Sequence, residues 1–236
     1  MALHKATDHT AALYRDKTSG GSRPRLRGLR MERMQDSTSH MPARRVIDEF
    51  DRARAQEYAL LSVLLSRSPD IRMIGRLSLL RGDASPLGCA HTALGEAAGK
   101  ATEESVGREY FNLFAGLGKS PLLPYASHYL TDSLYGRPLG RLREALQQLG
   151  IESAPGSSEP EDHAAVLCEV MARLVGGDIA GPVDADRDFF ERHLAPWIRR
   201  FFTDLEKSKA ADFYARVGLL GRTFVDIETE AFALPS

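Results

Sequence analysis

Cysteine is scarce in this chain of 236 residues, which contains only Cys89 and Cys168. Two thiols so far apart in sequence provide neither a disulfide framework nor the ligands of a zinc site, and they favour a reducing compartment. Apolar runs are also short: none approaches the ~20 residues that a membrane-spanning helix requires, so we expect no stable insertion into a bilayer. With 43% apolar and 27% charged residues, the composition is typical of a globular protein, which we expect in the cytoplasm.

A second absence concerns β-structure, because no convincing run alternates apolar and polar residues in the way a half-buried strand does. Apolar residues recur instead at intervals of three and four. From Ile47 through Leu65 they form one face of a long amphipathic helix, and similar patterns continue to Leu220. We therefore predict an all-α fold, a bundle of about ten helices with a central loop or hinge.

Several short motifs predict where helices begin. Ser68-Pro69-Asp70 and Ser85-Pro86 each combine a capping oxygen with a proline suited to the first turn, and Thr102 is a further capping residue. Ser158, followed three residues later by Glu161, has the spacing of a capping box. These positions predict the starts of four helices.

The most aromatic stretch of the chain extends from Phe189 to Leu205. Pro196 lies inside it, and because proline lacks a backbone N–H we expect a kink or break near Arg192. This apolar face packs in the core under one interpretation. Under another, part of it lines a groove for a partner's apolar helix or extended peptide.

Charge divides the chain into two unequal parts. Residues 1–45 contain ten Lys or Arg and four acids, a net charge of +6, which leaves −7 for the remainder of a chain whose total is −1. We interpret residues 1–41 as a disordered basic tail and residues 42–230 as one helical domain, whose two halves are joined by a linker over 152–160. The acidic body favours cationic partners. A nucleic-acid-binding arm is disfavoured, because Tyr14 alone in the tail could stack on bases.

No arrangement of residues demands catalysis or a bound metal. Gly118-Lys119-Ser120 resembles the end of a phosphate-binding loop, but Leu113 stands where that motif requires glycine. His163 and Cys168 lie five residues apart, on different faces of a helix. Asp162 next to His163 has no recognisable nucleophile nearby. We predict no catalytic residues, no metal and no cofactor.

Three ordered motifs carry a family resemblance. Tyr110-Phe111-Asn112-Leu113-Phe114 has the form aromatic-x-x-Leu-Phe. Pro124-Tyr125-Ala126-Ser127-His128-Tyr129-Leu130 contains a proline–tyrosine–x–serine–x–tyrosine segment, and Glu159-Pro160-Glu161-Asp162-His163 is similar to a hinge motif. In order and spacing these resemble the TorD/DmsD/NarJ family of redox-enzyme maturation chaperones. The resemblance covers roughly residues 45–225.

The resemblance implies a cytoplasmic, all-helical chaperone that is not an enzyme. Such proteins bind the apoprotein and the twin-arginine signal peptide of a molybdopterin oxidoreductase catalytic subunit, aid cofactor insertion and delay export. It also implies a set of candidate contact and hinge positions. They are Tyr110, Leu113, Phe114, Pro124, Tyr125, Ser127, Tyr129, Glu159, Pro160, Asp162 and His163.

The chemistry of such a leader suggests how it is recognised. Two arginines followed by an apolar stretch require carboxylates beside an apolar groove, and Glu159, Glu161 and Asp162 are the candidate partners. The same acids could simply cap a helix, and the aromatic motif could be core. A guanine-nucleotide-binding switch and a general helical protein-interaction module are the alternative functions. The identity of the client, and whether the chain is a monomer or a homodimer, stay open.

Overall fold

The computed structural model describes residues 29–31, 47–115, 122–153 and 159–234, with only the backbone described at 29–31 and at Ser153. Ten α-helices form most of this part of the chain, which confirms the all-α prediction. Two π-helical turns, Phe111–Ala115 (π1) and Phe190–Leu194 (π2), extend α4 and α8. The helices are Glu49–Ser66 (α1), Ile71–Leu77 (α2), Pro86–Lys100 (α3), Glu103–Tyr110 (α4), Ala126–Thr131 (α5), Arg137–Gln148 (α6), Ala164–Val175 (α7), Ala185–Phe189 (α8), Ile198–Lys207 (α9) and Phe213–Ala233 (α10).

Three of the predicted helix starts are confirmed. Asp70, Ser85 and Thr102 each accept a hydrogen bond from a backbone N–H in the first turn of α2, α3 and α4. At α2 the expected cap was Ser68 with Pro69 in the first turn, but both precede the helix and Asp70 is the cap. At α4 the cap is reciprocal, because the hydroxyl of Ser105 also accepts the backbone N–H of Thr102 at 3.0 Å. These caps depend on residues three positions apart, which is why the sequence could predict them.

The fourth predicted start is wrong. Helix α7 begins at Ala164, six residues after Ser158, and its capping residue is His163, whose Nδ1 accepts the N–H of Ala165 at 3.1 Å. Ser158 itself lies outside the described residues. Residues 161–162 form a turn, in which the backbone N–H of His163 donates to the carbonyl of Pro160 at 3.2 Å, and the N–H of Ala164 donates to the carbonyl of Pro124 at 2.7 Å, so the chain before α7 is not helical.

The core lies between helices that are distant in sequence. α1 packs along α7, while α10 packs along α9 and α3. The last helix approaches α9 closely at two glycines. A Cβ at Gly221 would lie 2.3 Å from the ring of Phe202, and one at Gly218 would lie 2.4 Å from the backbone nitrogen of Glu206. Of the helices described, none is both long and apolar enough to cross a membrane.

The aromatic stretch is interrupted where proline predicted a break. The N–H of Ala195 donates to the carbonyl of Phe190 at 2.8 Å, five residues back, which forms π2. The chain then turns before α9 begins at Ile198. The indole N–H of Trp197 donates to the carbonyl of His193 at 2.8 Å and so satisfies a carbonyl near the interruption. Trp197 and most of the aromatic rings here are buried, which supports the interpretation as core.

One short antiparallel pair of strands was not predicted from the sequence. Leu29–Met31 (β1) pairs with Ile151–Ser153 (β2), and Arg30 lies opposite Glu152 in the register. Three residues are too few to show alternation in a sequence. β1 belongs to the segment predicted as a tail, and β2 overlaps the predicted linker. The other residues up to 46, and residues 154–158, lie outside the described chain, so the division into tail and domain stays a prediction.

Candidate functional site

Two of the three motifs meet at one pair of bridged residues. The N–H of Ala126 donates to the carbonyl of Asp162 at 3.0 Å, and the N–H of Ala164 donates to the carbonyl of Pro124 at 2.7 Å. These bonds form an isolated antiparallel bridge between segments that are more than 30 residues apart in sequence. The bridge therefore fixes the proline–tyrosine segment against the hinge motif.

Tyr125 and His163 are the two residues of that bridge, and their rings pack edge to face with centroids 5.1 Å apart. The hydroxyl of Tyr125 donates a hydrogen bond to the carboxylate of Glu159. Burial, and then the charge of Glu159, raises the pKa of Tyr125, which stays protonated at neutral pH. Glu159 is exposed, so this corner of the site presents a negative charge to solvent.

His163 is almost buried and serves as the cap of α7. The backbone N–H of His163 donates to the carbonyl of Pro160 at 3.2 Å, and the ring nitrogen Nδ1 accepts the backbone N–H of Ala165. Burial lowers its pKa, although the charges of Glu159 and Asp162 act in the opposite direction. A protonated ring could not accept at Nδ1, so the cap requires the neutral form.

Asp162 is also inside the protein, with 1% of its surface exposed. Its Oδ2 accepts the N–H of Ser127, a fully buried residue in the first turn of α5, at 2.8 Å. The other carboxylate oxygen, Oδ1, is buried and has no hydrogen-bond partner in the described part of the chain. A carboxylate at a helix N-terminus is favoured by the orientation of the first N–H groups. Asp162 therefore caps α5 from a distant segment.

The aromatic motif packs against the last helix. Leu113 is fully buried, and the rings of Tyr110 and Phe114 contact the ring of Tyr214, with centroids 5.7 and 5.4 Å away. The hydroxyl of Tyr110 donates to the carbonyl of Leu65 at 3.2 Å. Leu113 is thus part of the core, and Tyr110 and Phe114 are partly buried against it, which agrees with the structural interpretation of the motif.

The residues around this motif still connect it to the hinge. Burial, together with the nearby charge of Glu159, raises the pKa of Tyr110 to about 12. Phe111, within the motif, is exposed. Glu109 accepts the N–H groups of Asp212 and Tyr214 at 2.8 and 2.7 Å and so caps the start of α10. Glu109 and the motif therefore place a carboxylate, a partly buried phenol and an exposed apolar ring at the edge of the bundle.

An open recess of about 340 Å³ lies beside the last tyrosine of the proline–tyrosine segment. The hydroxyl of Tyr129 donates to Asp204 at 3.2 Å, and the guanidinium of Arg200 lies over its ring, 5.5 Å from the centroid. Asp132 and Lys207 also line the recess. Burial, and then the charge of Asp204, raises the pKa of Tyr129. The recess thus combines an aromatic ring with charges of both signs.

The three acids that the sequence proposed for a guanidinium pair have different environments. Glu159 is exposed and Asp162 is buried. Glu161 forms an ion pair with Arg143, whose Nε and one terminal nitrogen each lie 2.9 Å from Oε2. The sequence did not indicate Asp204 or Arg200 as site residues, because each contacts Tyr129 from more than 70 positions away in the chain. No local pattern could have revealed them, apart from their place on the polar face of an aromatic helix.

Two other sequence features lead to no described site. Gly118-Lys119-Ser120 lies outside the described residues, so the phosphate-loop hypothesis stays a prediction about sequence alone. Among the residues that are described, no group of three or more His, Cys, Asp or Glu side chains could hold a metal ion. Cys168 is buried, and burial raises the pKa of its thiol to about 12. Such a thiol stays protonated and unreactive at neutral pH.

The fold is that of a helical bundle similar to one solved structure. The crystal structure of a candidate redox enzyme maturation protein from Archaeoglobus fulgidus matches 83% of this chain and 99% of its own, with a TM-score of 0.50 and 21% sequence identity. At that identity the similarity supports the fold.

Family membership follows from sequence comparison. The profile of the nitrate reductase delta subunit family matches residues 81–203, more than half of the chain, and the chain belongs to this family. Its relatives include the chaperone protein TorD of Vibrio cholerae, 27% identical over 126 residues, which are 50% of this chain and 57% of that protein. A candidate Tat proofreading chaperone, DmsD of Haemophilus influenzae, is 29% identical over 123 residues, 51% of this chain and 59% of its own. The chain thus spans less than two thirds of these relatives' length. The resemblance to the TorD/DmsD/NarJ family is confirmed.

Proposed function

We propose that this protein is a cytoplasmic chaperone, without enzymatic activity, for the catalytic subunit of a molybdopterin oxidoreductase. It binds the apoprotein and its twin-arginine signal peptide, keeps the client available for cofactor insertion and delays export until that step is complete. The names of the relatives, a TorD chaperone and a Tat proofreading chaperone, support this function. The observation that carries it is the convergence of the proline–tyrosine segment and the hinge in one site, beside the aromatic motif.

The geometry supports a division of labour among the candidate residues. Tyr125, Tyr129 and Glu159 reach the surface of the site, and in this proposal they contact the leader. An exposed carboxylate hydrogen-bonded to a phenol suits a guanidinium, since arginine pairs with carboxylates and stacks on aromatic rings. Asp132 and Asp204 in the neighbouring recess provide two further carboxylates for a second guanidinium.

The other candidate residues shape the site in this proposal. Each has an internal role that would be lost on contact with a ligand: capping a helix, bridging two segments, or packing in the core. They are Tyr110, Leu113, Phe114, Pro124, Ser127, Pro160, Asp162 and His163.

A synthetic leader peptide tests the proposal directly. The peptide carries two adjacent arginines followed by an apolar stretch, and its binding to the full chain is measured by calorimetry. We expect a dissociation constant in the micromolar range or below, one that rises with salt because the contacts are between exposed charges. In Glu159→Gln, which keeps the shape but removes the charge, affinity should fall about ten-fold.

The matched control is Glu230→Gln, an exposed glutamate near the end of α10, which should bind like the wild type. A chain that binds no twin-arginine leader at low salt would contradict the proposal. Equal affinity of the wild type and Glu159→Gln would remove Glu159 from the contact surface without contradicting the function itself.

A further inference from the structure

The loop between α5 and α6 holds an aromatic residue in an unfavourable backbone conformation. Asp132, Tyr135 and Gly136 have positive φ angles of 54, 70 and 78°. Glycine adopts this region freely and aspartate tolerates it, but for a bulky residue such as tyrosine it is a true outlier. Tyr135 is nevertheless 56% exposed, so packing of its ring in the core does not explain the conformation.

The conformation is fixed from inside the protein by a residue of the proline–tyrosine segment. The N–H of Tyr135 donates to Oγ of Ser127 at 3.1 Å, and Ser127 is fully buried and held in turn by Asp162. The hydroxyl of Thr131 donates to the carbonyl of Ser127 at 2.8 Å and closes the start of the loop. Strained residues persist where their surroundings over-determine them, and they cluster at contacts with ligands and partners. Here the internal bonds leave the phenol at the surface.

Exposed side chains flank Tyr135 in the sequence, with Leu130 and Leu134 before it and Arg137 and Arg141 after it. Leu130 and Leu134 are 40% and 39% exposed. Leu130, Arg141 and Arg192 line the same shallow recess of about 20 Å³, over the buried carboxylate of Asp162. Arg137 begins α6, one turn before Arg141. The Tyr135 surface is defined here as Leu130, Leu134, Tyr135, Arg137, Arg141 and Arg192.

The polar part of this surface is positive, although residues 46–236 together have a net charge of −7. Neither Arg137 nor Arg141 forms an ion pair in the described chain, while Arg192 has an exposed pair with Asp188 at 3.2 Å. Burial, and then the charges of Arg192 and Arg141, lowers the pKa of His193 at the edge of the same recess. The positive charges of Arg141 and Arg192 therefore both act on His193 in this recess.

We propose that the Tyr135 surface binds an acidic, amphipathic segment of the client's body, separately from the leader. Apolar side chains of that segment cover the ring of Tyr135 and the two leucines, while its carboxylates pair with Arg137 and Arg141. Tyrosine and arginine are the residues that most often dominate binding energy at protein interfaces, and complementary charge selects the partner. A leader that carries two arginines is repelled here. This inference rests on the proposed function and adds a second client contact to it.

The test compares two ligands on one set of variants of the full chain. One ligand is the leader peptide described above. The other is the apoprotein of a molybdopterin oxidoreductase catalytic subunit from the same organism, produced without its leader. Tyr135→Asn removes the ring but suits the backbone, because asparagine tolerates positive φ. We expect it to weaken binding of the leaderless apoprotein at least ten-fold or so. Leader binding should be unchanged, and the thermal midpoint should stay within about 3 °C.

A charge reversal provides the second variant. Arg141→Glu should weaken binding of the apoprotein in the same way, and Arg216→Glu, which reverses an exposed arginine on α10, should not. The inference is overturned if both Tyr135→Asn and Arg141→Glu bind the apoprotein like the wild type. It is also overturned if the loss appears with the leader peptide instead, because the surface then belongs to the leader site. A wild-type chain that binds no leader contradicts the leader-binding part of the proposed function, and the apoprotein measurement on the two variants still tests the Tyr135 surface.

Discussion

At the scale of single residues, three titratable side chains near the site, those of Asp162, Glu109 and His163, are helix caps. Asp162 caps α5 and Glu109 caps α10, each from another part of the chain, while His163 caps its own helix α7. Asp-His and Glu-rich sequences of this kind are typical of catalytic sites. Here Oδ2 of Asp162, both carboxylate oxygens of Glu109 and Nδ1 of His163 accept backbone N–H groups, so these residues position the site.

His163 gives this role a testable pH dependence. Because burial lowers its pKa in the folded state below the unfolded value near 6.5, the unfolded chain takes up the proton first. The stabilisation that depends on the neutral ring is complete at pH values above the unfolded pKa. It is lost as the pH falls through the folded pKa. His163→Asn retains a capping oxygen and cannot titrate. We expect its free energy of unfolding, from urea titrations, to fall less between pH 7 and pH 5 than that of the wild type.

His91 contributes a pH dependence of the opposite sign, which is common to both proteins and cancels in that comparison. It is buried against Glu57, with Nε2 3.0 Å from both carboxylate oxygens. Burial acts to lower the pKa of His91, but the charge of Glu57 and its hydrogen bond raise the pKa by more, so the net shift is upward. Its contribution is present below the unfolded pKa and is lost as pH rises through the folded one. If His163→Asn had the same profile as the wild type, the capping role assigned to the neutral ring would be wrong.

At the scale of elements, the pairing of β1 with β2 fixes a segment whose composition resembles a tail. The two strands share three residue pairs, with Arg30 in the middle, and β2 also packs on α6. Arg143 of α6 is bound to Glu161 of the hinge at 2.9 Å. The helix thus contacts both the strand pair and the candidate site.

A proline in β1 tests whether this pairing forms in solution. Arg30→Pro removes a backbone donor and restricts φ, which a strand tolerates only at an unpaired edge. We expect faster amide hydrogen exchange at Ile151 to Ser153, measured by mass spectrometry on the full chain, and little change in the helices. Arg15→Pro, a substitution outside both strands, is the control. Slow exchange that persists at 151–153 in Arg30→Pro would contradict the pairing.

At the scale of the whole molecule, one buried ion cluster joins the first, eighth and last helices. Arg54 of α1 makes two hydrogen bonds to Glu228 of α10, at 2.7 and 2.8 Å, and lies 3.3 Å from Asp186 of α8. The hydroxyl of Tyr58 also donates to Glu228, which has no exposed surface. Burial alone would lower the pKa of Arg54, but the bonds to Glu228 raise it, so the guanidinium stays charged.

Removal of this guanidinium should destabilise the whole bundle. Arg54→Met keeps much of the volume but leaves Glu228 buried without its cation, a change that typically costs about 3–5 kcal/mol. The control is Arg222→Met, which breaks a partly exposed pair with Glu206 at 2.6 Å and should cost less than about 1 kcal/mol. Urea unfolding followed by circular dichroism measures both. If the free energy of unfolding fell by a similar amount in both variants, the buried cluster would contribute no more to stability than the partly exposed pair.

The sequence by itself determined the helical class, three of the helix starts, the break at Pro196 and the family motifs. All of these depend on residues within a few positions of each other, such as Ser85 and the first turn of α3. Which acids face solvent was decided only by the tertiary structure. Asp162 meets Ser127 35 positions away, Tyr129 meets Asp204 75 positions away, and Arg54 meets Glu228 174 positions away. Periodicity and capping are local interactions, whereas burial and ion pairing depend on which distant segments pack together, and no single stretch of sequence contains that information.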